Sequence, residues 1–146
     1  LEQSIQRYGT RIYILHDLNQ FKDSSCMQEN ARLRSLAEVA HSNNRSHCLE
    51  FRTLKPPSKT WSCQHSKTWI VDGFFYVSGS ANFTGASEGN FEENIFTKSE
   101  DIIQAAQVAF WDAWQKGTPV PLSELLALQP KQRRSASSSR SCYVCS

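Results

Sequence analysis

Asp72-Gly73 is the feature that most narrows what this chain can fold into. An Asp-Gly pair suits the two central positions of a type I′ turn, whose twist matches that of the strands it joins. His65–Val71 and Phe74–Ser78 on either side are β-favouring, so the pair closes a hairpin. Upstream, Arg11–Leu15 (Arg-Ile-Tyr-Ile-Leu) reads as a buried strand. Asn30–Ser42 then places Leu33, Leu36, Ala37 and Ala40 at helical spacing, with Arg32, Arg34 and Glu38 on other faces. Cys48–Arg52 is a second short strand, and Thr53–Thr60, with Pro56-Pro57, is a loop. Strand, helix, strand implies a parallel α/β layer. Downstream, Glu93–Thr97 is a further strand and Ser99 is placed to cap a helix running to about Lys116. Ile102, Ile103, Ala106, Phe110 and Trp114 form its apolar face, and Gly117 with Pro119 stops it. The expected fold class is α/β, a mixed sheet flanked by helices.

The chain has 146 residues, 39% of them hydrophobic, which fits one compact domain and is too short for two. That domain is assigned to residues 1–129. Residues 130–146 form a basic, Ser-rich tail, aperiodic and poor in aliphatics, and are expected to be disordered. The formal charge of +2 is uneven: Lys131, Arg133, Arg134 and Arg140 lie in that tail, and without them the body carries −2. Composition therefore offers no basic stripe on the body of the kind that marks many nucleic-acid binders. The start, Leu1, leads into core structure almost at once and reads as an N-terminally truncated piece. No apolar run approaches the roughly 18 residues that span a bilayer. Five cysteines, Cys26, Cys48, Cys63, Cys142 and Cys145, are odd in number and irregularly spaced. That is no disulfide framework, and it favours a reducing, intracellular compartment. Cys142-x-x-Cys145 alone falls short of four zinc ligands, and a set of His47, Cys48, Cys63 and His65 would consume the histidine considered next.

Chemistry is concentrated in Gln64-His65-Ser66-Lys67-Thr68-Trp69-Ile70-Val71-Asp72-Gly73 and in Gly79-Ser80-Ala81-Asn82-Phe83-Thr84. His65 and Lys67 are two apart on a strand, so both side chains leave the same face. An imidazole and an ammonium sharing one site suit a phosphodiester. The imidazole can attack phosphorus while the ammonium and an amide donor hold the anionic oxygens.

This pattern resembles the phospholipase D superfamily, whose signature H-x-K-x4-D is followed by G-S-x-N. Every signature position is matched, and six fixed residues at fixed spacing arise by chance on the order of once in 10⁸ positions. The likeness extends over roughly Tyr8 to Phe96 and favours the dimeric nuclease or mitochondrial cardiolipin-hydrolase-like branch. It implies that His65 forms a covalent phosphohistidine, that Lys67 and Asn82 bind phosphate oxygens with Ser80, and that Asp72 and Ser80 brace the site. A downstream carboxylate would hydrogen-bond the other nitrogen of His65. The family's N-x-E pattern fits Asn90-Phe91-Glu92, whereas the spacing from Gly79 points to Glu93, which is slightly preferred; both stay candidates.

A complete site in this superfamily uses two such motifs, and this chain carries one. The resemblance therefore implies either a homodimer or a second motif outside this segment. It also implies that the first strand and helix of the family's domain are absent, leaving Arg11–Leu15 short of a sheet neighbour. The expected activity is cleavage or transfer of phosphodiesters, in phospholipid or nucleic acid, with neither metal nor cofactor. The alternatives are a non-catalytic binding module on the same fold, or half of a two-motif phosphatidyl transferase. His16, His41 and His47 lack comparable company and read as ordinary surface or loop residues. Trp61, Trp69, Trp111 and Trp114 read as core.

Overall fold

The computed structural model describes residues 1–22, 27–55, 67–79 and 94–128. The elements run α1 (Glu2–Tyr8), β1 (Ile12–Asp17), α2 (Leu18–Lys22), α3 (Met27–Ser42), a short 3₁₀ turn (Ser46–Cys48) and β2 (Leu49–Leu54). They continue with β3 (Thr68–Val71), β4 (Phe75–Gly79), β5 (Asn94–Thr97), α4 (Glu100–Lys116), β6 (Thr118–Pro119) and α5 (Leu122–Leu126). The class is α/β, as expected.

The strands form two three-stranded sheets. One is mixed, in the order β1-β2-β6: β1 runs parallel to β2 from Ile12↔Leu49 to Asp17↔Leu54, and β6 pairs antiparallel with β2. The other, β3-β4-β5, is wholly antiparallel.

The parallel pair exists because α3 carries the chain back between its strands, and α3 forms because its apolar residues recur on one face. Leu33, Leu36, Ala37 and Ala40, the four expected from spacing, are all buried. They pack with Ile5 of α1, Leu49 and Phe51 of β2 and Leu125 of α5 in one core, against which Ile12 and Ile14 of β1 also rest. Alternation along β2 buries Leu49, Phe51 and Thr53, while Arg52 turns towards α4. There Arg52 donates to the Trp114 carbonyl at 2.9 Å and lies 4.8 Å over the Trp114 ring. Tyr13 meets Trp111 and Trp114 edge-on, at 5.2 and 5.6 Å. The mixed sheet is thus covered on both faces.

Several expectations change in detail. A helix, α1, precedes β1 where none was expected; Ile5 is fully buried, and Arg45 donates to the carbonyls of Ile5 and Gln6. Ser99 occupies the N-cap of α4, but its side chain makes no capping bond; its N–H donates to Thr97 Oγ1 at 3.1 Å. On α4, Ile103 and Trp114 are buried, whereas Ile102 lies at the flank of the apolar face and is 49% exposed. Trp111 is 43% exposed, Trp69 is half-buried, and Trp61 lies outside the described residues. Gly117 ends α4 in an extended conformation, φ −73°, rather than a left-handed one. Its requirement is space, because a Cβ there would sit 3.0 Å from Leu15 Cδ1 and 3.1 Å from Arg52 Cβ. The tail expected to be disordered also lies outside the described residues.

Candidate active site

Asp72 and Gly73 adopt φ of 51° and 70°, and Phe74 N–H donates to the Val71 carbonyl at 2.9 Å, as in a type I′ turn. Val71 pairs with Phe75, however, so the connection is three residues (Asp72–Phe74) rather than the expected two, and the return strand begins at Phe75. Asp tolerates the left-handed region and Gly enters it freely. The turn fixes the register of β3 on β4: Thr68↔Ser78, Trp69↔Val77, Ile70↔Tyr76 and Val71↔Phe75. The ladder runs one step past the strand, where Gly79 N–H donates to the Lys67 carbonyl at 3.3 Å. Across β4, Gly79 pairs in turn with Asn94. Lys67, Gly79 and Asn94 therefore stand in a row at one end of this sheet.

Three motif segments adjoin that row in sequence. His65 lies two residues before Lys67, Ser80 and Asn82 follow Gly79, and Glu92 and Glu93 precede Asn94. His65, Ser80, Asn82, Glu92 and Glu93 are themselves outside the described residues. Lys67 is half-buried.

Asp72 is at the other end. Five residues along a strand separate it from Lys67, roughly 16 Å at about 3.3 Å per residue. Asp72 is exposed at the tip of the hairpin. Across that span, about twice the Debye length at physiological salt, its charge is largely screened from Lys67. The structure thus separates two residues that the sequence had grouped in one site.

Of the remaining histidines, His41 closes α3 and His47 lies in the 3₁₀ turn, both exposed. His16 is near the opposite end of β1, stacked on Phe51 at 6.1 Å, with Nδ1 3.0 Å from the Asp17 carbonyl. Asp17 is buried and accepts from the N–H groups of Asn19 and Gln20, which caps α2. Cys48 is buried, with its thiol donating to the Gly9 carbonyl at 3.3 Å. Among the described residues, no three His, Cys, Asp or Glu side chains gather where they could hold a metal ion. No described helix is long and apolar enough to cross a membrane.

The sequence matches the family described as cardiolipin synthase, PLD-like domain, over residues 1–114. The fold is similar to the crystal structure of Nuc from Salmonella typhimurium, a phospholipase D family member, with a TM-score of 0.58 at 22% sequence identity. That similarity covers 77% of this chain and 66% of the Nuc chain. No match was found among curated proteins.

Proposed function

This chain belongs to the PLD-like domain family, and on that premise we propose that it is a phosphodiester hydrolase or transferase working through a phosphohistidine on His65. The observation that supports the reading is the row Lys67, Gly79, Asn94, whose members belong to or adjoin in sequence the H-x-K, G-S-x-N and Glu92-Glu93 segments.

In the first step an imidazole nitrogen of His65 attacks phosphorus, a P–N bond forms, the P–O bond to the leaving alcohol breaks, and an acid protonates the departing oxygen. Water or another alcohol then attacks phosphorus, releasing His65 and returning the proton. Lys67 and Asn82, with Ser80, hold the non-bridging oxygens, so fixed positive and dipolar groups neutralise the developing charge. Glu92 or Glu93 orients His65. Asp72 contributes through the turn, by setting the register that places Lys67 opposite Gly79. A single motif supplies one histidine, so the acid comes from His65 of a second copy in a homodimer, or from a second motif outside this segment. The single motif supports the branch of small dimeric nucleases and cardiolipin hydrolases, with phospholipid or nucleic-acid diesters as substrate.

Hydrolysis of bis-p-nitrophenyl phosphate tests the reading. His65→Ala should abolish turnover in a folded protein, and Lys67→Ala should lower kcat by roughly 10²–10³, as expected for loss of one preorganised donor. Near-wild-type rates in His65→Ala would overturn the assignment.

A further inference from the structure

Two loops that are distant in sequence meet at the end of the mixed sheet where β1 and β2 begin. Arg45 reaches from one loop to the Ile5 and Gln6 carbonyls, its guanidinium lies against Gly9, and Cys48 bonds to the Gly9 carbonyl. Residues 7–11 and 41–47 are thereby held side by side. Together they contribute Arg7, Arg11, His41, Arg45 and His47, and no Asp or Glu occurs in residues 3–16 or 39–49.

Arg45 is spent on the carbonyls that end α1. The others point outward: Arg7, Arg11, His41 and His47 are exposed, as are Asn43 and Asn44, and Tyr8 is 78% exposed among them. We propose that this edge is a binding surface for single-stranded nucleic acid, with Arg7 and Arg11 on phosphates and Tyr8 stacking on a base. Two loops without an acidic residue, bordered by Glu2, Glu38 and Glu50, carry charge complementary to a polyanion, and one exposed ring flanked by arginines and amides suits a base beside its backbone. An anionic bilayer suits it less. Apart from Tyr8 itself and Leu1 at the start of α1, the exposed large apolar side chains, Phe74, Ile95, Phe96 and Trp111 among them, lie elsewhere.

The surface is built from elements other than β3, β4 and β5, which carry Lys67, Gly79 and Asn94 at one end. The site binds the strand in its own right, and it does not depend on the phosphodiesterase reading.

The test is fluorescence anisotropy of labelled oligo(U) with the full chain across a salt series. Arg7→Gln with Arg11→Gln should weaken binding roughly tenfold at physiological salt and lower the slope of log K against log salt by about 1.4, the value for two phosphate contacts to a single strand. Tyr8→Ala should weaken binding roughly fivefold or more with the slope unchanged. Neither change should alter bis-p-nitrophenyl phosphate hydrolysis. Absence of oligo(U) binding, or binding unchanged in the double variant because the tail at 130–146 carries it, overturns the proposal. So does Arg7- and Arg11-dependent binding to phosphatidylglycerol vesicles without binding to oligo(U).

Discussion

Asp72 is where the structure and the motif make different demands, and three substitutions separate them. If the residue works by holding the turn, what matters is its tolerance of φ 51°, not its charge. Asn shares that tolerance, so Asp72→Asn should change stability by under about 0.5 kcal/mol. With the carboxylate roughly 16 Å from Lys67 and screened beyond about 8 Å, kcat/KM should stay within about twofold of wild type. Val resists the left-handed region, so Asp72→Val should cost about 1–2 kcal/mol, a factor of roughly 5–30 in the folding equilibrium. Gly73→Ala should cost a similar amount, since its φ is 70° and a Cβ would stand 3.2 Å from Gln107 Nε2, a flexible group able to shift. Urea denaturation gives the stabilities, and bis-p-nitrophenyl phosphate hydrolysis at low temperature gives the activity of the folded fraction. An Asp72→Asn protein that folds as wild type but loses activity a hundredfold would refute the turn account and return the carboxylate to the chemistry.

Two further outcomes follow from the proposed mechanism. Activity should survive EDTA, because Lys67, Ser80 and Asn82 are assigned the charge neutralisation; inhibition reversed by added zinc or magnesium would contradict that assignment. If a second copy supplies the acid, specific activity should fall steeply on dilution through the dimer dissociation constant. Inactive His65→Ala chains should then poison mixed dimers, whereas a monomer by sedimentation with concentration-independent activity would exclude the dimer.

What was legible in the sequence depended on how local its cause is. The hairpin and α3 are set by neighbours a few residues apart: Asp72-Gly73 in one case, and Leu33, Leu36, Ala37 and Ala40 in the other. α1 and α5 are set by tertiary contact. Glu2–Tyr8 holds one apolar anchor, Ile5, and Leu122–Leu126 is too short to show a period, yet both bury a side chain in the common core. Gly117 carries the usual signature of a helix stop, but its cause is the approach of Leu15 and Arg52 from strands far away in sequence. The second sheet was hidden for the same reason, since alternation reveals strands but not which sheet they join.

The site shows the same division. The motif residues were visible as letters, and the structure adds that Lys67, Gly79 and Asn94 form one row while Asp72 stands at the far end of its hairpin. The basic edge escaped composition entirely. Its arginines and histidines are split between two segments, 7–11 and 41–47, in a body whose summed charge is negative.

The covalent step is the centre of the account, and direct detection of the intermediate tests it. Protein quenched in alkali during turnover of a diester, digested and read by mass spectrometry should carry the phosphoryl group on the peptide containing His65. The adduct should be stable in alkali and lost in acid, as a phosphoramidate is, and absent from His65→Ala. A phosphoryl group on another residue, or turnover by His65→Ala with no histidine adduct, would contradict the account.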